Sequence, residues 1–146
     1  MFRGTFNHSI DAKGRTSLPA RWREELEKAS ATQLMVTQGP DENLWCFPMG
    51  TWLELEAKIM AKPQFDPEVR EFVTGFISPA HDCEVDKMGR ILIPPPLREY
   101  ASLEGDVVWA GAVQRGELWS AERWNNRRNA VKPRLASGTF GSGMGI

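Results

Sequence analysis

The sequence predicts an α+β, β-rich fold in which two copies of one short unit share a single core. Three observations lead there. The first is an internal duplication. Ile10-Asp11-x-x-Gly14-Arg15-x-x-x-Pro19 recurs 75 residues later as Val85-Asp86-x-x-Gly89-Arg90-x-x-x-Pro94, and Arg23-Glu24 then falls on Arg98-Glu99. The second is the local chemistry of each copy. Aspartate opens a type I turn by accepting hydrogen bonds from the N–H groups ahead of it, and glycine three residues later takes the positive φ that closes the turn into a bulged hairpin. The third is size. A chain of 146 residues, 41% hydrophobic, makes one ordinary domain, and half of it would bury too little to stand alone.

The elements follow in order. Phe2 to Ile10 reads as an extended run into the first hairpin, and Thr16-Ser17-Leu18 as the strand that returns from it. Pro19 suits a first helical turn, where its missing N–H costs nothing, and Trp22 and Leu26 then repeat at helical spacing over Ala20 to Lys28. Gln33 to Thr37 is a buried-strand pattern ended by Gly39-Pro40-Asp41, and Leu44 to Phe47 is the next strand. Thr51-Trp52-Leu53-Glu54 has the form of a capping box that opens a helix ending at Lys62-Pro63. Asp66-Pro67 opens another, with Phe65, Val69, Phe72, Val73 and Phe76 at helical period, and Ser78-Pro79 breaks it. The second half repeats the first. Val85 and Ile91-Leu92-Ile93 flank its loop, Pro94 opens its helix, and Val108 to Gly111 and Trp119 to Trp124 answer Val36 to Gly39 and Phe47 to Trp52. The units are therefore residues 5–54, a helical connection 55–80, residues 81–126, and a basic, Gly-rich tail 127–146 expected to be disordered.

Net charge is −1, which on its own argues against a polyanionic partner. Its distribution reverses that. Residues 1–28 hold six basic and four acidic side chains, and residues 120–146 hold five and one, so the acidic excess lies between them. Cys46 and Cys83 sit in dissimilar settings without metal spacing, as in a reduced cytosolic protein. The Met1-Phe2-Arg3 start lacks the apolar run of a signal peptide, and no stretch is long enough to span a bilayer. The six tryptophans fall in strand patterns or on apolar helix faces, which favours packing over a stacking platform for single strands.

The loops carry the chemistry. A single Asp-x-x-x-Arg reads as a turn-stabilising ion pair. Duplication with the same arginine, and Lys13 beside it, points to double-stranded DNA instead: Lys and Arg bond phosphates, and Arg forks onto guanine O6 and N7. Arg15 and Lys13 are the leading candidates, with Arg90, Lys87 and Arg3 as further DNA contacts. Asp11, Gly14, Asp86 and Gly89 shape the loops. Arg23 and Arg98 are expected to be structural, ion-paired within the fold. The competing enzymatic reading needs a metal held by His8, His81 and Cys83, which requires the two strands leading into the loops to pair; the spacing fits no known finger or triad. A third reading keeps the fold and gives it protein partners, as an assembly or antitoxin-like module.

Met1-Phe2-Arg3-Gly4, followed by Asp11-x-Lys13-Gly14-Arg15-x-x-x-Pro19-x-x-x-Arg23 and Asp86-x-x-Gly89-Arg90-x-x-x-Pro94-x-x-x-Arg98, resembles the MraZ family over about residues 1–126. These are bacterial proteins encoded at the head of the division and cell-wall gene cluster, within the wider AbrB-like class of swapped-hairpin transcription factors. The resemblance implies two AbrB-like repeats interleaved into one double-split β-barrel with peripheral helices. It also implies a cytoplasmic, nucleoid-associated homo-oligomer, ring-like, that binds short direct repeats in its own promoter as a transcriptional regulator. It implies no enzyme activity and no cofactor. One departure stands out: copy two has Met88 where copy one has Lys13, with Lys87 one place earlier, so its loop is expected to grip DNA less well.

Overall fold

The computed structural model describes residues 1–146. Eight strands form one antiparallel sheet: β1 Thr5–Ile10, β2 Arg15–Ser17, β3 Gln33–Gln38, β4 Leu44–Pro48, β5 His81–Glu84, β6 Arg90–Leu92, β7 Gly105–Gly111 and β8 Gly116–Ser120. Their order is β5-β3-β4-β8-β7-β1-β2-β6. The two ends meet across the second loop, where the Asp86 N–H donates to the Arg90 carbonyl at 2.9 Å, as the Asp11 N–H does to Arg15 at 3.0 Å. The sheet is thus a nearly closed barrel.

Exchanging each strand for its duplicate leaves this cyclic order unchanged, so the barrel has an internal pseudo-two-fold. The halves interlock at the strands that lie on it. β2 pairs with β6 and β4 with β8, while β1 pairs with β7 and β3 with β5. Each pair joins one half to the other. The Leu18 N–H donates to Gly89 O at 2.9 Å, and the Ile93 N–H donates to Gly14 O at 2.8 Å. Neither half could satisfy its backbone groups without its counterpart.

Alternation along the short strands explains the core. Thr16 and Ile91 point inward and are buried, while Arg15, Ser17, Arg90 and Leu92 face out. Inside, Trp22 and Trp109 meet edge to face at 5.6 Å among Leu18, Leu34, Val36, Leu44, Ile93, Leu97 and Leu118. Their indole N–H groups are satisfied by the Arg3 and Ser17 carbonyls, at 3.1 and 3.0 Å. Trp52 and Trp119 are also buried, Trp45 and Trp124 partly so.

Helices surround the barrel: α1 Ala20–Lys28, α2 Met49–Met60, α3 Pro67–Phe72, α4 Pro95–Ala101 and α5 Ala121–Ala136. Asp66 caps α3, accepting from the Glu68 N–H at 2.9 Å, with Pro67 at the first helical position as expected. Three features differ from the sequence reading. Pro19 and Pro94 are the N-cap residues themselves, one place earlier than read. α2 starts at Met49, directly off β4, so Thr51 lies inside the helix and makes no capping bond. α5 continues through the stretch taken for an unstructured tail, capped by Ser120, whose hydroxyl accepts from the Arg123 N–H at 3.2 Å. A polar helix without buried residues leaves no apolar period to detect, which is why the pattern stopped at Trp124. After α3 the chain widens into a five-residue π-helical turn, Val73–Ile77, that lays Phe76 against Trp45, Phe47 and Trp52.

Candidate nucleic-acid interface

The two loops have the same internal architecture. One Asp11 carboxylate oxygen accepts from the backbone N–H groups of Lys13 and Arg15, at 3.0 and 2.9 Å; the other accepts from Arg15 Nε at 2.7 Å. Asp86 does the same with Met88 and Arg90, the side-chain bond measuring 3.1 Å. The Arg15 backbone N–H, then its side chain, holds the Asp11 carboxyl down at about 2. Asp86 is lowered too, chiefly by the Arg90 N–H. Both carboxylates are therefore spent on the turn. The pairing engages only Nε of each arginine. The terminal nitrogens of Arg15 and Arg90 make no hydrogen bond within the chain; each guanidinium is held side-on through Nε, and the side chains are 38% and 31% exposed.

Gly14 and Gly89 adopt φ of +93° and +78°, which a side chain would resist. Space demands glycine as well. A Cβ on Gly14 would lie 2.6 Å from Arg98 Nε and 2.8 Å from Ile93 O, and one on Gly89 would strike the Arg23 side chain. These arginines do what sequence reasoning missed. Arg98 Nη1 donates to Ala12 O at 3.3 Å and its Nε to Ile93 O at 3.1 Å, while Arg23 Nη1 donates to Met88 O at 3.3 Å. Each clamps the loop of the other half from its own helix. In place of the expected ion pairs, backbone carbonyls accept from Arg98 Nε and Nη1 and from Arg23 Nη1, while Arg23 Nε is buried without a partner. The sequence carries the signal: the arginines recur at one fixed offset behind each loop.

Register brings the two loops together. Arg15 pairs with Leu92 and Ser17 with Arg90, so Arg15 and Arg90 are diagonal neighbours on one outward face, with about 7–8 Å between Cα atoms. Lys13 and Lys87 are exposed on the flanking loops. Each loop thus holds two cations against one internally bonded carboxylate. Arg3 is exposed but stands at the far end of β1 from the first loop, about 20 Å or more along the strand, beside the Phe2–Val113 bridge. The register brings Arg15 and Arg90 onto one face, Lys13 and Lys87 are exposed in the loops at its two ends, and Arg3 lies away from the first loop.

The metal reading fails on topology. β1 pairs with β2 and β7, and β5 with β3, so the strands bearing His8 and His81 are not neighbours. No group of three or more His, Cys, Asp or Glu side chains could hold a metal ion. Burial raises the Cys83 thiol to about 11 and pushes Cys46 well above its ordinary value. No helix is long and apolar enough to cross a membrane.

An internally duplicated barrel with interleaved hairpins, each tipped by an Asp–Arg loop, defines the AbrB-like swapped-hairpin class. Within that class, the family model of the MraZ protein, whose description adds the words "antitoxin-like", matches residues 1–74 and 76–130. The chain belongs to the MraZ family. Proteins named Transcriptional regulator MraZ are similar along nearly the whole length. That of Carboxydothermus hydrogenoformans is 46% identical over 132 residues, 90% of each chain. That of Desulfitobacterium hafniense is 44% identical over 137, covering 94% of this chain and 93% of its own. That of Heliobacterium modesticaldum is 46% identical over 133, covering 91% and 90%.

Proposed function

We propose that the protein is a sequence-specific DNA-binding transcriptional regulator whose contact surface is the outer face of the β2/β6 ribbon and its two loops. The observation that carries this reading is the pair of arginines, Arg15 and Arg90, fixed side-on by their own aspartates with free forks on one face. A two-stranded ribbon fits the major groove, where an arginine fork reads guanine and the flanking lysines reach phosphates. The names of the relatives agree with it. The reading assigns the chain no reaction and places it in the cytoplasm, on the nucleoid.

The target in this reading is the promoter of its own division and cell-wall gene cluster, bound through short direct repeats by a ring-like homo-oligomer. One ribbon touches few base pairs, so discrimination must come from repetition. Apolar surface on the side of the barrel carrying α2 and α3 supports self-association. Phe65 is 94% exposed, and a groove of about 490 Å³ is lined by Trp45, Phe47, Leu55, Phe72, Phe76 and Tyr100. The same groove would serve a protein-binding module of this fold, the second reading.

A mobility shift with DNA from just upstream of the gene, in excess competitor DNA, tests the assignment. A retained shift for the wild type and its loss for Arg15→Ala are expected. Unchanged affinity in that variant overturns the contact surface, and no shift at all turns the choice to the protein-binding module.

A further inference from the structure

The ribbon face holds four outward side chains in a pseudo-symmetric square. Arg15 stands opposite Leu92, and Arg90 stands opposite Ser17. The square is made of one arginine and one partner per strand, and the two partners differ: a bare isobutyl group beside Arg15, a hydroxyl beside Arg90. Leu92 is 56% exposed on the outward face of the ribbon. It sits directly across from Arg15, with Cβ atoms about 5 Å apart. An apolar side chain there adds nothing to the core, since the inward positions Thr16 and Ile91 already fill it.

We propose that Leu92 is a specificity residue that reads the C5-methyl group of a thymine adjacent to the base pair contacted by Arg15. This rests on the DNA-binding reading given above. Of the groups on base edges in the major groove, only that methyl is apolar, and contact with it needs an aliphatic side chain without competing donors. The neighbouring arginine fixes the distance: base pairs stack about 3.4 Å apart, and a side chain about 5 Å from the arginine's Cβ falls over the next base pair along the groove. Ser17, the counterpart beside Arg90, offers a hydroxyl that bonds either base type. The two arginines therefore sit in unlike surroundings, and the element they read is asymmetric: thymine-dependent on the Arg15 side and tolerant on the Arg90 side. An asymmetric element has a direction, as a direct repeat requires and a palindrome does not.

The test uses the full chain. Duplexes are first enriched from a random-sequence library against the wild type, and each thymine of the enriched element is then replaced in turn by deoxyuridine, which lacks only the methyl. One position is expected at which uracil weakens wild-type binding about fourfold per substituted element, the size of one buried methyl. Leu92→Ala should bind the thymine and uracil duplexes alike at that position, while keeping its preference for guanine beside it. Leu92 is exposed, so the variant should fold, and an unchanged thermal midpoint checks this. Binding that is insensitive to uracil throughout overturns the proposal, as does uracil sensitivity that persists undiminished in Leu92→Ala. A library that enriches no duplex overturns the DNA-binding reading itself, and this proposal with it.

Discussion

Arg15 and Asp11 show how one ion pair serves a turn and a ligand together. The pair is half exposed, so its contribution to folding is small. Its value lies in orientation: Nε is committed and the outer fork is presented. Arg15→Ala should therefore leave the fold intact and remove specific DNA binding, a loss of about 1–3 kcal/mol at one ribbon that repeats across subunits. Arg90→Ala should have a smaller effect or none, because Met88 stands beside Gly89 where Lys13 stands beside Gly14, with the second loop's lysine, Lys87, one place further off. Anisotropy titrations on one duplex, with a circular dichroism melt for each variant, measure both. The aspartates also set a pH range. The folded carboxyl of Asp11 lies at about 2, below the ordinary value of about 4. Its stabilisation of the loop is thus fully present above pH 4 and is lost as pH falls through 2. An NMR titration of the Asp11 side chain should show a midpoint near 2 that rises only part of the way in Arg15→Ala, because the backbone N–H of residue 15, the larger cause, is retained.

Each hairpin is held by parts of the opposite half, and that governs what substitution does. Gly14→Ala meets a positive φ together with a backbone carbonyl, Ile93 O, that cannot swing away. Gly89→Ala meets chiefly the Arg23 side chain, which can. Gly14→Ala should be the more destabilising, by about 2 kcal/mol or more, in urea unfolding. Arg98→Ala should cost about 1 kcal/mol and weaken specific DNA binding without touching DNA, since the first loop loses its clamp. Unaltered affinity in a stably folded Arg98→Ala would show that the loop holds its shape unaided. Much of this was legible in the sequence. The Asp11 and Asp86 turns, the glycines, the strands beside them and the Asp66 cap all announce themselves through local chemistry. What stayed hidden is what depends on pairing between distant segments. Nothing within residues 15–17 states that β2 lies against β6, and without that register Arg15 and Arg90 read as two separate heads, one strong and one weak. Arg3 was grouped with them by charge alone, and the β1 geometry separates it. The α5 helix was missed because it buries nothing.

For the assembled protein, self-association and salt dependence follow from the same surface. Light scattering should show an oligomer larger than a dimer, and binding should collapse when the DNA repeats are reduced to one or their spacing is shifted by a few base pairs. A monomer that binds one isolated element at full affinity would refute this. Affinity should fall steeply with salt, and Lys13→Ala should flatten the slope of log K against log salt by about 0.9 while weakening all sequences alike. A slope that Lys13→Ala leaves untouched would place the phosphate contacts elsewhere.

The interlocked halves also bear on how the chain comes off the ribosome. β2 emerges early, but its partner β6 is encoded about 75 residues later, and β4 waits as long for β8. Each has its hairpin partner, β1 or β3, at once, but at a synthesis rate of about 5–20 residues per second its other edge stands open for about 4–15 seconds. An unpaired edge is a template for a neighbouring nascent chain, and a longer, flatter one is a better template. β2 has only three residues, a charged arginine at its start and a proline two places after its end. The brevity that leaves room for a reading loop also makes the waiting strand a poor seed for polysome aggregation.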